Sequence, residues 1–584
     1  MADQEYDVVV IGASLGGVAA ALRAAEMGAL TCLIDPTDWV GGQFTSQGVC
    51  KPDENQYIDT VGSTASYRAF RHAVRLWYRN NTRLSAGGAS QPLFNPGGPY
   101  DPHQPQFAVE PKVGDAILKQ TIQAAPRLHW RPNTRVTAAN VTGDAIGSIT
   151  ARGPDGVDTT YHADYYLDGT DLGDLLPMVL QPDEWVIGAE SHADTGEPNA
   201  TGVARPNWIQ PITYVVALEH RPRGEDHTIA KPANYDQLKA QQNYSISDGS
   251  ITSMFGGGLN MFNYRQFIDT RNFDDPSYRY DRTTINTSGN DYQAGSIPTG
   301  SAATDAQILA GAKAATLGYV YWLQTECPRQ DGSGENGFPE LRPSTETFGT
   351  PDGVAPAAYI RESRRIKAIK TVVQQEIQRS GNPGPRAVAY PDACGVGTYA
   401  FMDGHALRGV NPPMGGFWIP TWPVQLPMRA LIPRRLTNLL AACKNIGTTH
   451  LTSGIFRLHP LEWNAGESAG ALAAFCVTQQ KSPHQVAGDP HLTRAYQRAL
   501  LAQGVPLFWW SDVKFGDALF EPVQLAGATG IMTGDGNPQL RFNPNVALDD
   551  AARNALQSET GATLPAGPLT RGQAALWLDN AGIT

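Results

Sequence analysis

Glu5 to Ile11 reads EYDVVVI, an apolar, β-branched run of the kind that forms a strand buried on both faces. Gly12-Ala-Ser-Leu-Gly16-Gly17 follows, then apolar residues at helical spacing from Val18 to Met27, then a short apolar run from Leu30 to Ile34 closed by Asp35. This order predicts a βαβ unit. Leu128 to Leu167 alternates and predicts a β-rich stretch, with Arg135-Val136 and Ile146 to Ile149 as its clearest parts. Ala306 to Gln324 and Ala357 to Arg379 carry apolar residues at a spacing that predicts helices. Near the end, Leu439-Leu440-Ala441-Ala442 leads to a segment from Arg457 to Gly470 that opens a helix running to about Phe475. A Pro/Gly-rich insert spans 85–111, and neither repeats nor low-complexity tracts interrupt the chain.

The glycine turn is suited to a dinucleotide. Gly12 permits a tight strand-to-helix turn, Gly17 allows helix and strand to approach, and the free amides at the helix start can meet a pyrophosphate. Gly16 lies within the same turn, and Ser14 occupies the position of the middle glycine in G-x-G-x-x-G. Asp35 stands where a carboxylate accepts hydrogen bonds from ribose hydroxyls.

The residues that follow change the picture from nicotinamide to flavin. Trp39-Val-Gly41-Gly42-Gln43-Phe-Thr45-Ser46 resembles the second glycine signature of glutathione-reductase-like FAD proteins, which implies that Gly41, Gly42, Gln43, Thr45 and Ser46 run along the cofactor. The disulfide-reductase branch carries two cysteines in this stretch. Here Phe44 stands at the first position and Cys50 falls one residue past the second, so a flavin–dithiol relay is not expected and Cys50 reads as a small buried residue. Downstream, Arg457-Leu-His459-Pro460-Leu-Glu462-Trp-Asn464-Ala-Gly466-Glu467-Ser468-Ala-Gly470 is similar to the closing segment of the FAD-dependent oxidoreductase family. Leu167-Asp168-Gly169-Thr170, Gln210-Pro-Ile-Thr213, Asn290-Asp291-Tyr292 and Tyr359-Ile-Arg361-Glu362 match as well, so the resemblance covers roughly residues 5 to 480. It implies FAD as cofactor, with further contacts from Val136, Asp168, Gly169, Asn464, Gly466, Glu467 and Ser468.

The fold class expected is α/β: a Rossmann-like FAD-binding domain assembled from 1–180 and 425–480, an α+β substrate or cap domain over 181–424, and a small C-terminal appendage over 485–584. Segments of that appendage, among them Trp510-Ser-Asp512-Val513 and Leu569-Thr570-Arg571, resemble an S-layer-homology-like module. Such modules imply a cell-wall glycan as partner. A single copy reads first as a packing or oligomer-forming element.

Composition narrows the partners. At 584 residues the chain exceeds what one core supports. A net charge of -11 without a basic cluster argues against nucleic acid and anionic membranes. No apolar stretch reaches membrane-spanning length, and MADQEYDVVV lacks a basic n-region, so a cytoplasmic protein is expected. Six scattered cysteines show no metal spacing, and none of the motifs calls for a metal. Gly256-Gly257-Gly258 lacks a flanking strand and helix, so no second dinucleotide site is read.

Flavin oxidation needs a base and positive potential near the reduced ring. His459, just before the closing helix, and His405, with Asp403 two residues away, are the base candidates. The closing helix is expected to begin near Asn464 to Gly466 and to supply the potential. Arg361, with Arg364, Arg365 and Glu362, reads as a basic helical turn that either binds a substrate carboxylate or forms an internal salt-bridge network. Tyr292, Tyr321 and Trp322 either line a pocket or fill the core. The reaction expected is removal of a hydride from a hydroxyl- or amine-bearing carbon of a small organic substrate onto flavin N5, with oxygen or another acceptor completing the cycle. The alternatives are a flavin enzyme without net redox, such as an isomerase or hydratase, and a non-catalytic wall-binding protein.

Overall fold

The computed structural model describes residues 2–98, 107–246, 251–407, 416–534 and 538–584. Part of the Pro/Gly-rich insert, 99–106, lies outside them. Strand β1 (Ala2–Ile11), helix α1 (Leu15–Glu26) and strand β2 (Thr31–Ile34) form the βαβ unit. β3 (Leu128–Arg131), β4 (Arg135–Thr142), β5 (Ala145–Arg152) and β6 (Asp158–Asp168) complete the β-rich stretch. The sheet order is β3-β2-β1-β6-β5-β4. β1, β2, β3 and β6 run parallel, and Leu439–Ala441 adds a parallel strand along the end of β6, with Leu440 opposite Leu167.

That register puts the carboxyl ends of four strands on one edge. Ile11 pairs with both Ile34 and Asp168, and Asp168 pairs with Ala441. The loops leaving those ends therefore converge, as ligand-binding loops of open α/β sheets do. Parallel strands covered on both faces must be apolar throughout, and Val8 to Ile11 and all of β2 are buried.

The helix His459–Gln479 runs along α1. Small residues set the crossing: a Cβ on Gly466 would run into Gly16 O, and one on Gly470 into Ala20 O. The helix begins at His459, earlier than expected. Leu458 is extended as its N-cap, and Pro460, whose fixed φ suits a first turn, starts it.

The middle of the chain carries a four-stranded antiparallel sheet in the order Leu341–Pro343, Val216–His220, Arg282–Ile285, Gln266–Ile268. Helix Ala302–Thr325 shares a core with it, and Tyr319 and Trp322 pack in that core. The helix expected over Ala357 to Arg379 does not form. That stretch is irregular apart from the two-residue strand Arg365–Ile366 and the short helix Gln374–Ile377. Its backbone bonds to distant partners instead: Tyr359 N to Thr213 O at 2.7 Å, and Ile366 N to Asn445 O at 2.9 Å. Tertiary hydrogen bonds override a local spacing that only imitates a helix.

The C-terminal segment packs on the body. Gln425 Nε2 donates to Leu507 O at 2.6 Å, Arg386 Nη2 to Trp509 O at 2.6 Å, and Trp510, Phe542 and Leu578 belong to the main hydrophobic core. No helix among the described residues is long and apolar enough to cross a membrane.

Candidate active site

Beyond the four strand ends lies a turn made almost wholly of backbone. Gly12 has φ +97°, and a Cβ there would lie 2.6 Å from the Gly169 carbonyl. A Cβ on Gly17 would strike Gly12 O. Gly12, Gly17 and Gly169 thus pack against one another, which no larger residue permits. Ser14 caps α1, its hydroxyl accepting from Gly17 N at 3.1 Å.

The second glycine pair closes over this turn. Gly41 N donates to Ala13 O at 2.9 Å, and Gly42–Phe44 forms a short 3-10 turn. A Cβ on Gly42 would lie 3.1 Å from Ser14 Cα and 3.3 Å from Leu15 N. Two helical N-termini therefore meet, and amides without intrahelical acceptors turn to other partners there, Gly17 N to Ser14 Oγ and Gly16 N to the Glu462 carboxylate. The electrostatics suit an anion such as a pyrophosphate.

At the far side, Asp35 Oδ2 accepts from Ala13 N at 2.7 Å and Oδ1 from Thr37 N at 2.8 Å. Burial pushes its carboxyl above the usual range, against those hydrogen bonds. Thr134 N bonds to Asp35 O, which brings the start of β4, with Val136, alongside. Asp168 is fully buried. Burial pushes it up to about 7, and it ties Thr170 and Leu175 into the turn after β6. Thr45 Oγ1 donates to Val40 O, and Ser46 O accepts from Ala357 N, so this segment leads from the glycine turn toward the middle domain.

Orphaned polar atoms gather on that segment. Gln43 Oε1, Arg457 Nε and His459 Nδ1 are buried and have no hydrogen-bond partner. Gln43 Nε2 donates to Arg457 O at 2.9 Å, and the His459 ring lies 4.6 Å from Phe44. Buried polar atoms are costly unless paired, so these mark where a polar ring system fits. The glycine cradle and these atoms together fit FAD.

Glu462, part of the closing motif, turns its side chain toward the glycine turn. Gly16 N donates to its Oε1 at 3.2 Å and Lys444 Nζ to its Oε2 at 3.0 Å, while Lys444 also pairs with Asp171. Asp171, Cys443 and Glu462 converge closely enough to hold a cation, and the Lys444 ammonium bonds to all three. Gly466 lies against Gly16 of the glycine turn, whereas Asn464, Glu467 and Ser468 lie elsewhere. Because the helix starts at His459, they sit inside it. Asn464 Oδ1 accepts from Val396 N, Ser468 Oγ donates to Cys394 O at 2.6 Å, and Glu467 pairs with Arg23. They pack the helix rather than face the cradle.

A cavity of about 290 Å³ adjoins the cofactor segment, bordered by Tyr359, Arg361, Asp403, His405 and Arg457. The link to the cradle is direct: Arg457 carries the carbonyl bound by Gln43, and Ile360 N donates to Gln47 Oε1 at 3.1 Å. His405 Nδ1 lies 2.7 Å from Asp291 Oδ2, and Arg361 pairs with the same carboxylate at 2.8 Å. Asp403, expected to orient His405, pairs with Arg457 at 2.7 Å and stands 3.7 Å from His405 Nε2. Burial and Arg361 push the His405 pKa down, yet Asp291 and Asp403 outweigh them and hold it above its ordinary value. Burial opposes ionisation of Asp403, but His405 and Arg457 hold its carboxyl well below the usual range.

Arg361 lies on irregular backbone, not on a helical turn, and its neighbours are committed to ion pairs: Arg365 to Glu362 at 2.6 Å and Arg364 to Asp174 at 3.1 Å. His459 does not border the cavity. Burial pushes its pKa down to about 3, and its Nε2 faces Val49 O. Tyr292, Tyr321 and Trp322 pack around the middle-domain core, and Cys50 is buried. Sequence reasoning gave no role to Lys444, Glu462, Asp291 or Arg457; all four stood in or beside motifs, but only contact assigns them.

The model of one protein family, FAD dependent oxidoreductase, matches residues 7–500. The chain belongs to that family. FAD is therefore its cofactor, and the C-terminal 84 or so residues lie past the match. No curated protein matches the sequence of this FAD-dependent oxidoreductase. Solved structures similar to it include a p-nitrophenol 4-monooxygenase from Pseudomonas putida, at 9% identity and a TM-score of 0.35, covering 91% of this chain and 94% of that one. A geranylgeranyl bacteriochlorophyll reductase-like protein from Thermoplasma acidophilum has 10% identity and a TM-score of 0.33, with 99% of each chain covered. A myxobacterial FAD-dependent halogenase has 14% identity and a TM-score of 0.23, with 38% of this chain covered, and the chain spans 45% of its length.

Proposed function

We propose that this flavoenzyme oxidises a hydroxyl- or amine-bearing carbon of an organic substrate, with His405 as the base. The observation that carries this reading is the Asp291–His405 pair in a cavity whose wall, Arg457, is bonded to the cofactor segment through Gln43. Asp291 accepts the Nδ1 proton of His405, which fixes the tautomer and leaves Nε2 to take a proton from substrate. Arg361 and Arg457 neutralise the carboxylates on either side, so the imidazole can carry a positive charge after the transfer. Bound FAD would accept the hydride, which carries both electrons. His459, neutral near pH 7, serves in this reading as a hydrogen-bonding neighbour of the flavin and not as the base. Gly12, Ser14, Gly16, Gly17, Gly41, Gly42 and Gln43 hold the pyrophosphate region, and Asp35 the ribose. The C-terminal segment is a packing appendage, and its burial against the body supports this over a detached wall-binding module.

The test is anaerobic. Purified protein carrying oxidised FAD is mixed with alcohols, sugars and amines while the flavin absorbance is followed. One class bleaches the wild-type flavin, and His405→Gln keeps its flavin but bleaches about a hundredfold or more slowly, the scale of general-base catalysis. Equal bleaching rates in the two proteins would overturn the assignment of the base. Turnover with no electron acceptor would point instead to an isomerase or hydratase.

A further inference from the structure

The inner cavity does not end at its mouth. A second cavity of about 710 Å³ borders Asp53, Tyr264, Tyr399 and Phe401, all four of which also border the first. We propose that the two joined cavities form the binding site of a neutral oligosaccharide, whose terminal ring enters the inner cavity to meet His405. The chemistry of this assignment rests on the hydride-transfer reading above; the substrate class rests on the cavities themselves.

Three observations point to a sugar chain. The first is size. The inner cavity suffices for one small ring, whereas the outer one falls in the range that holds ligands of several rings. The second is surface. Aromatic side chains border the cavities: Trp418 is 59% exposed, and Tyr57, Tyr399, Phe401 and Trp422 are each half-buried. Trp418 lies on the strand Phe417–Pro420, opposite Asp403, and so at the mouth of the inner cavity, and Trp422 follows that strand into the outer one. Trp418, Tyr399 and Phe401 border the same cavity, the last two with ring centroids 5.2 Å apart, and apolar surface grouped in this way marks a binding site; the C–H faces of pyranose rings stack on aromatic planes while their hydroxyls project to polar edges.

The third is charge. The ionic groups of the outer cavity are already neutralised or stacked. Asp53 pairs with Arg265 at 3.0 Å, Glu54 pairs with Arg71, and the Arg379 guanidinium lies over Trp422 at 5.0 Å. A cationic substrate therefore finds both carboxylates already paired, and Arg379, which has no carboxylate partner among the described residues, is covered by Trp422 and donates to Thr421 O, whereas Gln56, exposed at the rim, and Thr398 offer neutral hydrogen-bonding groups. Part of the outer wall, Trp509, Pro538 and Leu540, is chain that lies beyond the family match. The outer wall is thus completed by chain outside the matched residues.

In the reaction implied, a C–H bond and an O–H bond of one ring carbon break: the hydride and its electron pair pass to FAD, the hydroxyl proton to His405 Nε2, and a C=O bond forms. The sugar is oxidised, FAD is reduced, and dioxygen or another acceptor takes the electrons from FAD.

The experiment uses full-length protein with oxidised FAD under nitrogen. Xylo-, cello- and chito-oligosaccharides of one to four rings are titrated calorimetrically, so binding is read without turnover. In one series Kd falls about tenfold or more between one ring and four, and Trp418→Ala and Trp422→Ala each raise the four-ring Kd about tenfold with the flavin spectrum unchanged. Trp418 is exposed, so its removal leaves the core intact. No binding in any series, or affinity independent of chain length, overturns the proposal. Tighter binding of a planar phenol such as coniferyl alcohol than of every tetrasaccharide overturns it in favour of an aromatic substrate. Length-dependent binding without bleaching would sink the hydride reading and leave the saccharide site standing; bleaching by small alcohols without oligosaccharide binding does the reverse.

Discussion

The cofactor cradle and the substrate cavity are adjacent, yet they are built on opposite principles. The cradle is backbone: Gly12, Gly17 and Gly169 touch one another, Gly42 lies against Ser14 and Leu15, and its chemistry comes from amides at helix starts. Most of it comes from one stretch of some forty residues. The cavity is side chain: His405, Asp291, Arg361, Asp403 and Arg457 come from four distant segments and are held by ion pairs. A backbone site tolerates no added atoms but needs no particular charge. A side-chain site tolerates small changes of shape but fails when one charge is removed, because the partner remains buried and unpaired.

Substitutions can break that contrast. The largest effect is expected from Gly17→Val, whose side chain would strike Gly12 O; flavin-to-protein absorbance should fall to about a tenth or less, since overpacking of a tight backbone contact is not relieved by rotamer change. His405→Gln should keep its flavin and lose about two to four orders of magnitude in the rate of flavin reduction. The contrast would collapse if this variant lost its flavin and Gly17→Val retained it.

Asp291→Asn strands Arg361 and removes the partner of His405. It should cost about 3–5 kcal/mol in urea unfolding and also move the acid limb of flavin reduction to lower pH. The sign follows from His405: its carboxylates hold the pKa above the usual value, so the base is protonated and reduction slow on the acid side, and loss of Asp291 lets the proton leave at lower pH. Unchanged limbs in both proteins would remove His405 from the mechanism.

Asp35→Ala should weaken FAD by about tenfold in a dialysis and rebinding assay, the value of one charge-assisted hydrogen bond pair, while leaving the rate of the loaded enzyme unaltered. The smallest effect near neutral pH is expected from His459→Gln. Burial lowers the folded pKa of His459 to about 3, below the unfolded value of about 6.5, so the unfolded chain takes up its proton first. Wild-type stability should therefore decline as pH drops from about 6.5 toward 3, and the variant should show a flatter decline in thermal melts between those values.

The cradle was largely legible before any coordinates. Gly12, Gly17, Asp35, Gly41 and Gly42 are consecutive features of a βαβ unit and the loop after it, and each acts through its own backbone or a short reach. His405 and Arg361 were legible as chemistry-bearing residues, but their partner was not. Asp291 lies over a hundred residues from His405, and nothing in the spacing brings them together. The closing helix shows the same limit within one motif. Its start is expected near Asn464 to Gly466, whereas Pro460 starts it at His459, and that shift of about five residues puts Glu462 rather than Glu467 at the cradle.

What the sequence by itself determined was the parallel sheet, the glycine turns and the cofactor, because strand burial, positive φ and helix-start amides are local properties that a residue type imposes where it stands. Tertiary structure alone decided that Ala357 to Arg379 is irregular, that His459 is neutral while His405 is paired with a carboxylate, and that the C-terminal segment walls a cavity. Those depend on burial and on which charges meet, and both are set by segments that only the folded chain brings together.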